Sequence, residues 1–359
     1  MNGSCATYWR GLAAGKRSSL LDRLLLMLLV PTAIAYSLVQ WLRAALYGSG
    51  YLETRHLPLP VVSIGNITVG GTGKTPVAAY IARRLMDRGY RVALLSRGYG
   101  GSLEGSTALV CDGREVLLSA EECGDEPYLL ARTLPGLIVV IGSDRYAAGL
   151  LAIKECPPDV FLLDDGFQHL RLHRDLNILL LDAARPFGNG WTLPAGLMRE
   201  PSHSVHRADL VVLTRCPEGG EAVSPVPQTA CCRSRHTLTD LIPLTGGPPL
   251  SFDMLQGFKI VAFCGIAEPQ SFFDGLGRQG LTVSGSLSFS DHVEYNADRL
   301  AEVEALVRVS GAGYAITTEK DGVKLTGLPQ PLAGKVLLAR LVLTMDDAAT
   351  LDGFLCNLL

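Results

Sequence analysis

The sequence predicts an α/β protein: a P-loop (Rossmann-like) domain whose mostly parallel sheet carries helices on both faces, a second smaller α/β domain, and an N-terminal membrane-associated helix. Three observations carry this reading. Short runs that are apolar along their whole length recur between helical stretches, as strands of a parallel sheet buried on both faces require. A glycine-rich turn, Val69-Gly70-Gly71-Thr72-Gly73-Lys74-Thr75, follows one such run and opens a helix. Residues 24–42 carry no charge, with Arg23 before them and Arg43 after.

The uncharged run is barely long enough to span a bilayer, and Pro31 inside it would kink a helix. It is long for a signal peptide, and no clean small-residue cleavage pattern follows it. Tyr36, Trp41 and Tyr47 suit the headgroup level, while Arg10, Lys16, Arg17 and Arg23 favour a cytoplasmic start. A spanning helix would carry the P-loop away from cytoplasmic ATP. The expected arrangement is therefore a peripheral or monotopic helix in the inner leaflet, on the cytoplasmic face. The alternative is a pair of helices packed on the domain, with Pro31 at the corner.

From there strand and helix alternate. Residues 61–64 read as a strand, 76–88 as a helix capped by Gly89, and 91–96 as the next strand. Further strands are expected at 137–141, 160–163, 177–182 and 210–214. The Gly-, Pro- and Ser-rich stretch 218–228 reads as a linker. Beyond it, apolar runs at 259–264, 281–287, 315–318 and 335–338 alternate with helical patterns such as 297–309. The expected division is thus a helical segment at 1–50, a P-loop domain at 51–217 and a smaller domain at 229–359.

Bulk properties narrow the function. With 359 residues there is room for two cores. The net charge of −3 comes with no basic stripe, which argues against nucleic acid as a partner. Charged residues make up only 19%, and the mean hydropathy is +0.24, apolar for a freely soluble protein. Nine cysteines without a Cys-x-x-Cys pair suit a reducing compartment and give neither a disulfide framework nor a zinc site.

The glycine-rich turn suits a polyphosphate. Backbone N–H groups from Gly70 to Gly73 face the anion at a helix N-terminus, Lys74 adds a mobile charge, and the Thr75 hydroxyl reaches Mg²⁺. Thr68 stands where the usual P-loop has its first glycine; Gly70 and Gly71 supply the flexible backbone instead. Asp164-Asp165-Gly166-Phe167-Gln168-His169 directly follows a predicted strand. Paired carboxylates there suit Mg²⁺, although Asp-Gly is also a common turn dipeptide. Gly124-Asp125-Glu126-Pro127 precedes a helix, so its acids are either first-turn residues or a general base and a metal ligand. Arg97 and Tyr99 in Ser96-Arg97-Gly98-Tyr99-Gly100, and Arg145 in Ser143-Asp144-Arg145, follow strands; each grips an anionic substrate or is an exposed loop residue. Arg199 in Met198-Arg199-Glu200-Pro201 suits a transferring phosphoryl group. Asp291 before His292 reads as a helix N-cap on its own. Thr317-Thr318-Glu319-Lys320-Asp321 is a loose match to loops that cradle a nucleotide base.

Together these motifs resemble the tetraacyldisaccharide 4′-kinase family, the lipid A 4′-kinases. The matching pieces run in family order from Ser63-Ile64-Gly65-Asn66 through Pro194-Ala195-Gly196-Leu197-Met198-Arg199-Glu200-Pro201 and Phe289-Ser290-Asp291-His292 to Thr318-Glu319-Lys320-Asp321. They cover nearly the whole chain, and the family shares the missing first glycine. Departures from the pattern lie outside these motifs and include the stretch 216–232 and the residues before Ser18. The resemblance implies ATP- and Mg²⁺-dependent phosphorylation of the 4′-hydroxyl of a tetraacylated glucosamine disaccharide 1-phosphate. It implies that Lys74 and Thr75 hold the β,γ-phosphates and Mg²⁺, and that Glu126, Asp164 and Asp165 serve the metal. Asp125 becomes the base, assisted by His292 from the second domain, and Arg199 serves the transferring phosphoryl. Arg97, Tyr99, Arg145, Gln168 and His169 then face the disaccharide. The implied partners are this lipid and the bacterial inner membrane, with no obligate protein partner. The rival is a membrane-tethered P-loop NTPase switch acting on a protein. A soluble ATP-dependent ligase leaves the apolar N-terminus unexplained.

Overall fold

A computed structural model describes residues 3–15, 17, 19–217, 223–325 and 327–359. Residues 218–222 of the expected linker, and Lys16 of the N-terminal basic group, lie outside the described residues. In chain order the first elements are α1 (Gly3–Ala13), α2 (Leu20–Gly48), β1 (Val61–Asn66), α3 (Lys74–Met86), β2 (Val92–Ser96), β3 (Ala108–Asp112), α4 (Ala120–Cys123), α5 (Asp125–Thr133), β4 (Ile138–Ile141), α6 (Arg145–Glu155), β5 (Val160–Asp164) and β6 (Leu176–Asp182). There follow β7 (Leu210–Thr214), β8 (Ala230–Pro243), β9 (Lys259–Cys264), α7 (Pro269–Arg278), β10 (Thr282–Ser288), α8 (Ala297–Ser310), β11 (Tyr314–Thr318), α9 (Glu319–Gly322), α10 (Gln330–Ala333), β12 (Val336–Met345) and α11 (Ala348–Leu358). Two compact units interleave along the chain. One comprises Met1–Ser96, Arg145–Arg235 and Met345–Leu359; the other comprises Arg97–Asp144 and His236–Thr344.

In the first unit the strand order is β8-β7-β6-β1-β5-β2, and neighbouring strands pair in parallel. All six residues of β1 are buried, which is why its sequence is apolar without alternation. Helix α3 buries Val77, Ala78, Ile81, Ala82 and Leu85 on β1, β5 and β2. Each such large apolar side chain contributes about 1.5–3 kcal/mol of transfer free energy. Because the strands are parallel, the ends of β1, β5 and β6 share one edge, where ligands of α/β sheets gather.

Helix α2 begins with a capping box between Ser19 and Asp22 and runs unbroken through Pro31. This replaces the Pro31 corner with a single helix. It is long and apolar enough to cross a membrane, and only 6% of its most apolar window is buried in the structure. One face is nevertheless tied down by polar groups. The Thr192 hydroxyl donates to the Ala33 carbonyl at 2.9 Å, and Arg43 donates to the Gln168 carbonyl at 3.1 Å.

In the second unit β10, β9, β11 and β12 lie side by side, paired in parallel, while β3 and β4 pair antiparallel. Side chains of β9 alternate between two cores. Ile260, Ala262 and Cys264 join Phe272 and Leu276 of α7, whereas Val261 and Phe263 join Leu300, Val303 and Val307 of α8. The period of two along a strand produces that division.

Candidate active site

Two constellations emerge, one in each unit. In the first unit the glycine-rich turn leaves β1 and enters α3, with Gly73 in the N-cap position. Asn66, fully buried at the end of β1, donates from Nδ2 to the Thr68 carbonyl at 2.9 Å and to the Thr72 hydroxyl at 2.7 Å. Thr68 also bridges Met198, the Val69 N–H donates to the Leu197 carbonyl at 2.7 Å, and the Arg199 N–H donates to the Ile67 carbonyl at 2.7 Å. Thr68 therefore replaces a glycine because it sits in a short β-bridge, which needs no left-handed backbone.

That bridge sets Arg199 beside the turn. Its Nη1 lies 2.8 Å from Asp165 Oδ2 and 3.2 Å from Gln168 Oε1, and Lys74 Nζ lies 3.7 Å from Asp165 Oδ1. Burial pushes the Asp165 carboxyl up, but Lys74 and then Arg199 outweigh it and hold it below the ordinary carboxylate range. Asp165 is also one of three non-glycine residues with positive φ among those described (52°), a strained conformation that clusters at functional sites. Asp164, 4% exposed, accepts from the Ser96 hydroxyl at 3.2 Å. Gly65 makes this packing possible: a Cβ there would lie 2.6 Å from the Phe167 backbone nitrogen. Arg174 buttresses the loop from below, donating to the Phe167 carbonyl at 3.1 Å.

In the second unit α5 opens with Asp125 and Glu126. Asp125 Oδ2 lies 3.2 Å from His292 Nδ1 and 3.3 Å from Lys324 Nζ. Burial raises this carboxyl, yet the His292 hydrogen bond and then Lys324 bring it below its ordinary value. Lys320 Nζ lies 3.0 Å from Glu126 Oε1 and 3.4 Å from Asp291 Oδ1. Burial works against its charge, but Glu126 and then Asp291 leave the ammonium pKa raised. The Tyr99 ring meets the His292 ring edge-on, with centroids 5.4 Å apart. Gly124 (φ 89°) brings these parts together, since a Cβ there would lie 2.6 Å from the Tyr99 carbonyl oxygen.

The expected site residues thus fall into two groups. Lys74, Asp165, Gln168 and Arg199 meet in the first unit. Asp125, Glu126, Tyr99 and His292 meet in the second. The sequence placed Asp125 and His292 in different domains; they belong to one unit and touch. The expected N-cap role of Asp291 also fails, because α8 is capped by Asn296 and His292 sits in a left-handed turn at φ 58°. Gln168 turns inward, its Nε2 donating to the Asn66 carbonyl at 2.7 Å. Arg145 is 5% exposed at the start of α6, where its charge further depresses Asp165. Arg97 reaches the surface and pairs with Glu104 at 3.1 Å. His169 is held by its N–H donating to the Gly166 carbonyl at 2.9 Å. Asp321 is fully buried, accepting from the Gly265 N–H at 3.0 Å and the Thr318 hydroxyl at 2.7 Å, so it is an internal pin rather than a base-recognition group. Sequence reasoning included Asn66 in the Ser63-Ile64-Gly65-Asn66 motif but gave it no role, although a polar residue ending a buried strand is a signal. It missed Arg215, which has φ 58°, lies 3.1 Å from Asp182 and donates to the Gly71 carbonyl.

Comparison with known proteins agrees with this architecture. A family model described as Tetraacyldisaccharide-1-P 4′-kinase matches residues 25–359. A protein named Tetraacyldisaccharide 4′-kinase from Pelobacter propionicus is 58% identical over 100% of this chain and 99% of its own length. One of the same name from Geobacter sulfurreducens is 54% identical, covering 90% of this chain and 91% of its own. The crystal structure of Aquifex aeolicus LpxK in complex with ATP superposes with a TM-score of 0.78 at 34% identity, covering 93% of this chain and 99% of that one. With its P-loop, its Asp-Asp-Gly-Phe-Gln-His turn and its Asp–His pair all in place, the chain belongs to the tetraacyldisaccharide-1-P 4′-kinase family.

Proposed function

We infer that this chain transfers the γ-phosphate of ATP to the 4′-hydroxyl of a tetraacylated glucosamine disaccharide 1-phosphate, a lipid A precursor, forming lipid IVA. The observation that carries this reading is the Asp125–His292 contact at 3.2 Å. An alcohol acceptor must lose its proton, and a carboxylate backed by an imidazole suits that task. A nucleotide switch has no use for such a pair.

In this reading the Gly70–Thr75 backbone and the α3 N-terminus bind the ATP phosphates, with Lys74 on the β,γ-phosphates. Arg199, now extended toward Asp165, neutralises charge on the transferring group. Asp125 accepts the sugar hydroxyl proton, and His292 orients it. Phosphoryl transfer needs little covalent help, so alignment and charge neutralisation are the main tasks. Arg97, Tyr99, Arg145, Gln168 and His169 are assigned to the disaccharide side, Gln168 acting through its hold on Arg199.

The chain's own oxygens fit Mg²⁺. Thr75 is the second residue of α3, and Asp164 closes β5, directly beside β1 in register with Ile64. With Asp165 they form a hard oxygen set of the type Mg²⁺ shares with nucleotide phosphates. When bound, the ion neutralises charge on those phosphates. Glu126 belongs to the implied set too, and here it pairs with Lys320.

Helix α2 is assigned to the cytoplasmic face of the inner membrane, its apolar surface in the lipid where the acyl chains of the substrate lie. Tyr36 donates to the Arg199 carbonyl at 3.0 Å, so the anchored helix directly touches the backbone that carries Arg199.

The test incubates purified protein with γ-labelled ATP, Mg²⁺ and the lipid acceptor in mixed micelles. Label is expected in the lipid, lost on chelation with EDTA and in Lys74→Ala. Lipid-independent ATP hydrolysis without labelled lipid would instead establish the switch.

A further inference from the structure

Asp165, His292 and Arg215 are the non-glycine residues with positive φ among those described. The first two stand in the constellations above, whereas Arg215 has no part in the roles given so far. Its backbone is held at φ 58° from both sides. Before it, the Thr214 carbonyl accepts from the Ala183 N–H at 3.0 Å; after it, the Cys216 N–H donates to the Ser234 carbonyl at 3.0 Å. The left-handed region is costly for a residue with a Cβ, and glycine escapes that cost. Strain of this kind persists where the surroundings over-determine it, and it clusters at functional sites.

The strained residue reaches the glycine-rich turn. Thr214 pairs with Asp182 across β7 and β6, and Leu180 of β6 pairs with Asn66, the last residue of β1. Arg215 therefore leaves β7 at the same edge where the turn leaves β1. Its two terminal nitrogens are used separately: Nη1 donates to Asp182 Oδ2 at 3.1 Å, and Nη2 donates to the Gly71 carbonyl. Asp182 is itself fixed, its Oδ1 accepting from the Ala184 N–H at 2.9 Å and the Arg185 N–H at 3.3 Å. The guanidinium is planar, so a fork seated on a fixed carboxylate aims its second nitrogen at one place.

That place decides the orientation of a peptide. In a trans peptide the carbonyl of one residue and the N–H of the next point in opposite directions. Holding the Gly71 carbonyl toward Arg215 turns the Thr72 N–H away from it. The negative end of the carbonyl is then spent on a cation rather than left for an anion to meet, while the N–H stays available to one. The turn has little of its own to fix this peptide. Gly70 stands at φ 124°, where a Cβ would meet nothing within 4 Å, and other ties of the turn hold Thr68, Val69 and Thr72.

We propose that Arg215 is a positioning residue for ATP, its guanidinium seated on Asp182 and fixing the Gly71–Thr72 peptide so that the Thr72 N–H is presented to the phosphates. This rests on the Gly70–Thr75 turn being the ATP site. Arg215 acts through the loop's backbone, so it serves bound nucleotide and transition state alike, and its loss falls on affinity rather than on the chemical step.

The experiment uses the full-length protein in detergent micelles. Binding of a fluorescent ATP analogue, without lipid acceptor, is measured first in wild type and in Lys74→Ala. No binding in wild type, or an affinity that Lys74→Ala leaves unchanged, removes the phosphate site and the inference with it. With that site standing, Arg215→Ala and Arg215→Gly are each expected to weaken the analogue about 10-fold. KM for ATP should rise by the same factor, while kcat and KM for lipid stay within about twofold of wild type. The two variants separate positioning from support of the fold. Glycine adopts positive φ freely, so Arg215→Gly should have the higher Tm of the two while binding ATP no better. Affinity that returns together with Tm makes Arg215 a fold-supporting residue and overturns the inference. Wild-type affinity in both variants, or a lowered kcat with KM for ATP unchanged, overturns it as well. Arg215→Lys should recover only part of the affinity, because one ammonium replaces two separately seated nitrogens; full recovery overturns the fork. Asp182→Asn should weaken ATP too, and its loss should be less than additive with that of Arg215→Ala, because the two act as a unit. Full additivity overturns the seating of Arg215 on Asp182.

Discussion

The two constellations handle charge in opposite ways. Around the P-loop, Lys74, Arg199 and Arg145 all act on one carboxylate, Asp165, so cations outnumber the local anion. Around α5, carboxylates outnumber lysines: Asp125, Glu126, Asp291 and Asp321 share Lys320 and Lys324, and Asp125 also meets His292. An excess of positive charge is what a polyphosphate site requires, since the ligand supplies the missing negative charge. A network already rich in carboxylates has nothing to gain from an incoming anion. Its charges fix geometry, which is what a base and its partner require. The difference teaches that the first site is built to bind and the second to aim.

Arg199→Ala tests the first half of that contrast and carries the largest expected effect. Removing a guanidinium from a transferring phosphoryl group costs on the order of 10³-fold in kcat. Single-turnover transfer to the lipid measures it, and a loss below tenfold would mean that Arg199 merely braces Asp165. Arg199→Lys should recover little, because a point-charge ammonium on a different stem replaces the planar guanidinium whose Nη1 meets both Asp165 and Gln168.

The middle effect concerns the scaffold under the binding site. Asn66→Ala leaves the Thr72 hydroxyl and the Thr68 carbonyl without their buried donor. The expected cost is about 1–3 kcal/mol in denaturant unfolding, together with a raised KM for ATP and an unchanged KM for lipid. Equal rises in both KM values would break the contrast, because the loop would then serve both substrates.

These residues also show what the sequence reveals and what it hides. Ten strands were expected where β1, β2, β4, β5, β6, β7, β9, β10, β11 and β12 stand, most of them because buried parallel strands are apolar without interruption; β10 instead alternates exposed and half-buried residues. The misses, β3 and β8, lack that signature; β8 buries Ser234 and alternates with arginines and threonines. The P-loop side was legible because its ligand-facing groups sit in contiguous motifs at strand ends. The α5 side was legible only in part. Asp125 and His292 came from family resemblance, and the parts of Lys320 and Lys324 were invisible, because the pairing joins positions 194 residues apart for Lys320 and Glu126. No local pattern encodes a contact that exists only once α9 packs on α5. The left-handed turn at His292 was hidden for the same reason: it is imposed by what the ring must reach.

The smallest expected effect lies outside both constellations and serves as their control. Asp352 of α11 takes Arg84 of α3 on one side and Arg88, 2.7 Å away, on the other. The Arg84 hydrogen bond, with Arg88 adding to it against a modest burial penalty, lowers the Asp352 pKa. A depressed carboxylate pKa contributes stability above the unfolded value of about 3.9 and loses it as pH falls through the folded value. All three side chains are partly exposed, so screening keeps the pair to about 0.2–1 kcal/mol. Asp352→Asn should therefore lower Tm by about 2 °C or less at neutral pH, and the difference from wild type should vanish below the folded pKa. Turnover should not change, because neither the cation excess around Asp165 nor the carboxylate–lysine network around Asp125 includes this latch. A loss of kcat comparable to that of Arg199→Ala would mean that charge anywhere along α3 reaches the phosphate site. The distinction between a site that binds and a site that aims would then be too local.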